Sequence, residues 1–332
     1  MVKTNTFKKR LAAATLLVLL GTTASAALPI TSSAQARQAQ AAGTLDFGFI
    51  TKFPVSFYFS VVAGAKQWAS AHKNVSVTYL AGKSGTDDPG EIAAVQDLLA
   101  KGVKGIFITP TSTALIPILT KAVHQGVKVV LGDNNLPTFT LKSSFVGTNN
   151  YKGATLAGQF LKTRLKSGST LGLLEGVPGN PSLDDRITGV LAALGVPNPT
   201  YTWSGTTPGG IKVLAAKETD CDQTKGEQEA QDVLTANPNL TAIYSACGPP
   251  ALGAIQAIAH AKMTGKIILV GFDGLPQEIT AIKAGQESAT VAQHPTQIGY
   301  LGLATLYDAV RGQMVQKDVD TGTSLITPQS LK

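Results

Sequence analysis

The chain has 332 residues, 28 Lys and Arg against 21 Asp and Glu, a formal charge of +7, and 15% charged residues. Four of the positive charges and none of the negative ones fall in residues 1–26, so a chain without that segment carries only +3. That balance gives no ground for a nucleic-acid partner or an anionic membrane surface.

Residues 1–26 read as a leader that directs export and is cleaved after Ala26. Lys3, Lys8, Lys9 and Arg10 form a positive start, Leu11–Leu20 (LAAATLLVLL) is an apolar run, and Ala24-Ser25-Ala26 is a small-residue cleavage site. The run is too short for a bilayer span, which needs about 20 residues. No cysteine lies near the cleavage site, which argues against a lipid anchor. The expected destination is the periplasm. Residues 27–43 are small and polar without periodicity and are expected to form a mobile lead-in. The remaining chain, about 290 residues, exceeds the usual size of one core, so two domains are expected.

From Thr44 onward strands and helices alternate. Strands are predicted at Leu45–Ile50, Val75–Leu80, Gly105–Ile108, Val127–Leu131, Thr170–Leu174, Ala242–Ser245, Ile267–Gly271 and Ala289–Ala292. Between them, helical spacing runs over Val61–Ala71, Glu91–Lys101, Ser112–Gln125, Ala154–Lys166, Glu227–Ala236 and Ala251–Ala261. Near-continuous apolar strands alternating with helices predict parallel sheets covered on both faces. Gly126, Gly168 and Gly265 stand where a helix should end and the next strand begin.

The pattern occurs twice. Val103–Leu115 (VKGIFITPTSTAL) matches Leu240–Leu252 (LTAIYSACGPPAL) at an offset of 137 residues. The following strands, Val129–Asn134 (VVLGDN) and Leu269–Gly274 (LVGFDG), match at an offset of 140. Two α/β lobes of one plan are expected, each presenting an aspartate, Asp133 or Asp273, where a strand gives way to a loop. Ligands of open α/β sheets sit beyond the carboxyl ends of the strands, so two facing edges predict an inter-lobe cleft.

Enzyme chemistry finds little support. There is no G-x-S-x-G turn, His72, His124, His260 and His294 are scattered, and no His/Cys spacing suggests a metal site. Gly82-Lys83-Ser84 imitates a phosphate-binding loop, but Val77 stands where its first glycine is required, and Asp87-Asp88 would repel phosphate. A pair of carboxylates would suffice for a glycosidase, and nothing in the pattern favours one. No cofactor is implied.

The stronger constellation is on loops after strands: Lys52, Phe53, Phe57 and Tyr58, then Asp133 and Asn134, then Asp184, Asp185 and Arg186, then Cys221 and Cys247, then Asp273 and Gln293. Aromatic rings with carboxylates and amides suit a polyhydroxylated ligand, whose C–H face packs on the rings while its hydroxyls donate to the carboxylates. Asp133 and Asp273 could instead be turn or helix caps, the aromatics ordinary core, and Arg186 a structural partner for a carboxylate. The two cysteines form a disulfide or stay as two buried thiols; export favours the bond.

Several segments together resemble the ribose-binding family of type I periplasmic solute-binding proteins. They are Phe57-Tyr58 before Gly64-Ala65, Ile108-Thr109-Pro110-Thr111, Gly132-Asp133-Asn134, Asp184-Asp185-Arg186-Ile187-Thr188-Gly189, Val270-Gly271-Phe272-Asp273-Gly274 and Gln293-His294-Pro295-Thr296-Gln297-Ile298-Gly299. The resemblance implies two Rossmann-like lobes, 44–148 with 294–320 and 149–293 with 321–332, joined by crossovers near Gly147–Asn149, Gln293 and Thr321. It implies a monomer that closes on one small sugar or sugar alcohol and delivers it to an ABC permease in the inner membrane. A sensory receptor for a sugar-like signal, acting on chemotaxis or a histidine kinase, is the alternative.

Carried onto this chain, the family's ligand contacts fall at Lys52, Phe57, Tyr58, Asp133, Asn134, Asp184, Cys247, Asp273 and Gln293. The ribose binder's two clamping arginines are replaced here by Asn134 and Asp184, and its second-lobe aromatic and asparagine by Cys221 and Cys247. Both of those positions face the ligand in the family, which brings the cysteines together and implies a disulfide at the pocket wall. Ile50-Thr51-Lys52 and the acidic Asp133 with Asp184-Asp185 look like the autoinducer and rhamnose receptor branch, whereas Gly271-Phe272-Asp273-Gly274 follows the pentose and hexose binders. A neutral polyol is the expected ligand, an amine-bearing one is the variant, and an anion is disfavoured unless Lys52 dominates.

Overall fold

A computed structural model describes residues 43–332; the leader and most of the lead-in expected for residues 1–43 lie outside them. The chain starts as strict strand–helix alternation: β1 (Leu45–Thr51), α1 (Ser56–Ser70), β2 (Val75–Ala81), α2 (Asp88–Ala100), β3 (Gly105–Ile108), a 3-10 turn over Thr113–Leu115 leading into α3 (Ile116–His124), β4 (Lys128–Gly132) and β5 (Ser144–Gly147). Then follow α4 (Asn150–Lys162), β6 (Thr170–Glu175), α5 (Pro181–Ala193), the short β7 (Gly205–Thr206), β8 (Lys212–Val213) and β9 (Lys217–Glu218), and α6 (Gln223–Ala236). The last stretch comprises β10 (Ala242–Ser245), α7 (Gly248–His260), β11 (Ile268–Asp273), α8 (Pro276–Lys283), β12 (Ala289–Gln293), α9 (Pro295–Val310), β13 (Asp318–Asp320) and β14 (Thr323–Ile326).

Two sheets result. The first has the order β13-β5-β4-β3-β1-β2 and is parallel throughout. The second runs β14-β12-β11-β10-β6-β8-β7, with β9 also on β6. Its centre is parallel, while β12 with β14 and β7 with β8 pair antiparallel. The fold is a two-lobed α/β arrangement, one lobe around each sheet. The chain passes between the sheets after β5, after β12 and again between β13 and β14.

The central strands bury every residue, as β3 and β10 do, because helices cover both faces. Six short strands go beyond the eight predicted ones; each has two to four residues, too few for an apolar period to register. Of the three glycines expected to cap helices, Gly126 (φ 84°) directly follows the last turn of α3. Gly168 (φ 87°) and Gly265 (φ 76°) are also left-handed, but they lie several residues beyond their helices, in turns before β6 and β11.

Two glycines set how the first lobe is assembled. A Cβ on Gly64 of α1 would collide with the Thr296 carbonyl of α9, and one on Gly299 of α9 with the Val61 carbonyl of α1. The two helices therefore touch backbone to backbone, which returns α9 to the first sheet although it follows β12 of the second. The Gly82–Asp87 loop is not a phosphate cradle: Asp87 caps α2, accepting from Gly90 N at 3.1 Å and Lys83 N at 2.9 Å. No helix among the described residues is long and apolar enough to cross a membrane.

Candidate functional site

The strand ends that carry the candidate residues converge. Lys52 follows β1, Asp133 and Asn134 follow β4, and Asp273 and Gln293 are the last residues of β11 and β12. With Phe57 and Tyr58 from the first turn of α1 and with Cys247 before α7, all of them line one cavity of about 660 Å³ between the sheets, part of it open to solvent.

The first-lobe wall is aromatic and charged. Phe53 and Phe57 both set an edge against Tyr58, with centroids 5.5 Å and 5.3 Å away. Tyr58 donates its hydroxyl to Asp133 Oδ2 at 2.9 Å. Burial, reinforced by the Asp133 charge, pushes the Tyr58 phenol well above its ordinary range, so it remains a donor. Lys52 is buried, which lowers its pKa, and the charges of Asp133 and then Glu91 oppose that drop. No salt bridge of Lys52 occurs among the described residues, so its ammonium is available to a ligand's acceptors. Asn134 reaches back to Pro110 O at 3.4 Å.

The second-lobe wall is a closed polar network. Arg186 donates from Nη1 to Asp273 Oδ1 at 3.0 Å and to Ala246 O at 2.8 Å, and from Nε to Asn150 Oδ1 at 2.8 Å. Its guanidinium lies 4.0 Å from the centroid of Phe272. Gln293 donates to Asp273 Oδ1 at 2.6 Å, and Thr148 donates to Gln293 Oε1 at 2.6 Å. Gly248 N, at the start of α7, donates to Asp273 Oδ2 at 2.9 Å. Burial raises the Asp273 pKa; Arg186, Gly248 and Gln293 counter it, and the nearby Asp133 charge adds to it. The two aspartates line the same cavity, one from each lobe. Both occupy left-handed backbone, Asp133 at φ 58° and Asp273 at φ 111°. Such conformations are costly for non-glycine residues and often occur at functional sites.

One predicted contact is not brought to the cavity. Asp184 turns back onto its own loop, accepting from Gly179 N at 3.0 Å, beside Glu175, whose pKa is raised to about 8 by burial and then by Asp184. The cause is helical geometry. Asp184, Asp185 and Arg186 are successive on α5, about 100° apart, so only one of the three can face the cleft. Leu183 and Arg186, three residues apart on one face, do so. That period was the signal that singles out Arg186. The expected carboxylate partner of Arg186 is Asp273, although the arginine lines the cavity as well.

Cys221 and Cys247 are joined by a disulfide, with Cα atoms 5.6 Å apart, and both line the cavity. Asp220, Leu275 and Gly85 also line it and had no sequence signal of their own, because each arrives by a loop. No group of three or more His, Cys, Asp or Glu among the described residues is placed to hold a metal ion.

Known proteins resemble the chain in sequence and in overall fold. Residues 47–314 match the family model described as periplasmic binding protein domain. The chain is 33% identical over 253 residues to the D-allose-binding periplasmic protein of Escherichia coli strain K12, covering 74% of this chain and 78% of that protein. It is 28% identical over 329 residues to the ribose import binding protein RbsB of Haemophilus influenzae, covering 96% of this chain and 99% of the relative. Among solved structures, the carbohydrate transporter solute-binding protein of Agrobacterium radiobacter, in complex with D-arabinose, superimposes with a TM-score of 0.78 at 29% identity, covering 87% of this chain and 96% of that one.

Proposed function

The chain belongs to the periplasmic binding protein family, and from that premise we propose that it is the substrate-binding component of an ABC sugar importer, taking a small neutral sugar or sugar alcohol. The observation that carries the reading is the pairing of two unlike walls on one cavity: Tyr58, Asp133 and Lys52 from one sheet, Arg186, Asp273 and Gln293 from the other. Hydroxyls of a polyol donate to Asp133 and to the remaining lone pairs of Asp273, while Lys52 donates to ring or hydroxyl oxygens. Each charge-assisted bond contributes about 1.5–3 kcal/mol once water is excluded. Phe57 and Tyr58 supply the face on which the ligand's C–H groups pack.

Closure follows from the same geometry. A ligand that bonds to both walls binds the closed arrangement better than the open one, and its bias toward closure equals that difference in affinity. The hinge is the set of chain crossings after β5, after β12 and between β13 and β14, and the closed form is the one a membrane permease would receive. The reading is binding without catalysis, in keeping with a family of solute-binding proteins. The reading includes export to the periplasm by residues 1–26 and action as a monomer.

A thermal-shift panel of pentoses, hexoses, polyols, amino sugars and sugar acids, followed by calorimetry, tests it. A neutral sugar at 100 times its Kd should stabilise the protein by about 2.7 kcal/mol. Stabilisation by sugar acids alone, or by none of the panel, would refute the reading.

A further inference from the structure

The second wall contains a covalent link that the binding reading leaves without a role. Cys221 follows β9, and Cys247 precedes α7 in extended backbone, with no side-chain hydrogen bond to that helix. The bonded cysteines line the cavity, and their sulfurs lie against Gly176, the residue after β6. A Cβ on Gly176 would come within 2.5 Å of Leu183 Cδ1, 2.6 Å of Cys221 Sγ and 2.9 Å of Cys247 Sγ, so the missing side chain is what makes room for the sulfurs and for Leu183.

Two polar groups are tied to the link. On one side, the amide next to Cys247 is Gly248 N, which holds Asp273 Oδ2 at 2.9 Å. On the other, Asp220 precedes Cys221, lines the cavity, and accepts from Lys225 Nζ at 3.0 Å. Asp220 (φ 51°) and Cys221 (φ 53°) are successive left-handed residues, an arrangement that persists only when the surroundings over-determine it. The surroundings here are Asp220 N to Gly176 O at 3.0 Å, Asp222 N to Thr219 O at 2.8 Å, and the disulfide. A Cβ on Gly85 of the first lobe would lie 3.6 Å from Asp220 O, so this turn is one of the places where the two lobes approach each other.

We propose that the Cys221–Cys247 disulfide is the selectivity-determining wall of the sugar site: it fixes the Thr219–Asp222 turn, limits how far a ligand extends into the second lobe, and keeps Asp220 and Gly248 N in register with Asp273. The inference rests on the sugar-binding reading. The sulfur pair presents an apolar surface to C–H groups, and Asp220 an acceptor beside it. An aldohexose exceeds an aldopentose by one hydroxymethylene unit, so a fixed wall discriminates between them while a loose one does not.

Calorimetry with D-ribose and D-allose on the full exported protein tests this, with folding checked by circular dichroism. Cys221→Ala/Cys247→Ala removes the wall and should shift the allose-to-ribose affinity ratio about tenfold toward the hexose. Gly176→Ala crowds the two sulfurs and Leu183, all of which line the cavity, and should shift that ratio the other way. A third arm needs no substitution. Dithiothreitol reduces the disulfide, its two thiols giving up two protons and two electrons to form its cyclic disulfide while Cys221 and Cys247 become thiols. With two free thiols titrated, the reduced protein should follow the double variant, and it decides the matter if that variant does not fold. A uniform loss of affinity at constant ratio would mean a merely structural link and overturn the inference, as would no change. Those outcomes leave the sugar reading standing, whereas a wild-type protein that binds no neutral sugar defeats both.

Discussion

The ends of β4 and β11 are the same place in the two lobes, and each presents a left-handed aspartate to the cleft, yet the two carboxylates are in opposite situations. Asp273 has both oxygens engaged, by Arg186 and Gln293 on one and Gly248 N on the other. Asp133 has one side-chain donor, Tyr58, and its other oxygen is open to a ligand. The first lobe thus offers acceptor capacity and a free ammonium, while the second offers a pre-set frame. Equivalent positions in a repeat need not carry equivalent chemistry, because the donors around them come from elements the repeat does not share.

The largest test of this contrast is Asp273→Ala. It strands the Arg186 guanidinium in a buried site, so it should cost about 3–5 kcal/mol of stability in urea or thermal unfolding as well as affinity. A variant that unfolds like the wild type would show that the second-lobe network is not closed.

Next is the cross-link, which closes a separation of 26 residues in the second lobe alone. Removing it should lower stability by about 3 kcal/mol by enlarging the unfolded ensemble. Asp133→Asn on the opposite wall should leave the unfolding midpoint almost unmoved and weaken sugar binding about 10- to 100-fold by calorimetry. An equal loss of stability at both aspartates would erase the distinction between frame and acceptor.

The remaining test is in pH. Leu275, which lines the second wall, donates its amide to Glu278 at 2.7 Å, and Thr290 Oγ1 donates to the same carboxyl at 2.8 Å. Burial, then the Asp273 charge, raises the Glu278 pKa to about 8, and burial, then Glu278, raises that of its neighbour Glu287. Raised carboxyls keep protons that the unfolded chain gives up near its ordinary value of 4.5, so folding takes up protons. Their contribution is complete below about pH 4.5 and is lost as pH rises to about 8, at no more than about 1.4 kcal/mol per unit for each proton. Glu278→Gln should flatten that fall in melting temperature. An unchanged profile would remove this acid pair as the cause.

The sequence was legible wherever one strand or one helix decided the matter. Buried parallel strands require continuous apolar runs, so Gly105–Ile108 and Ala242–Ser245 stand out without any tertiary knowledge, and the repeat of LGDN and GFDG put both aspartates at strand ends. Asp184 shows the limit. Three successive polar residues on α5 look alike as text, and only the direction in which the helix docks makes Arg186 the one that turns inward. Asp220 and Gly85 had no signal because a loop residue's place depends on what it packs against.

By itself, then, the amino-acid order determined the α/β class, the twofold plan and the residue types that suit a hydroxylated guest, since these follow from local periodicity and side-chain chemistry. Which carboxylate is free and which is tied, and that the Cys221–Cys247 bond implied by the family resemblance is seated against Gly176, were decided only by the tertiary structure. Hydrogen-bond partners such as Arg186 and Asp273, 87 residues apart, are chosen by packing, and no local pattern encodes that distance.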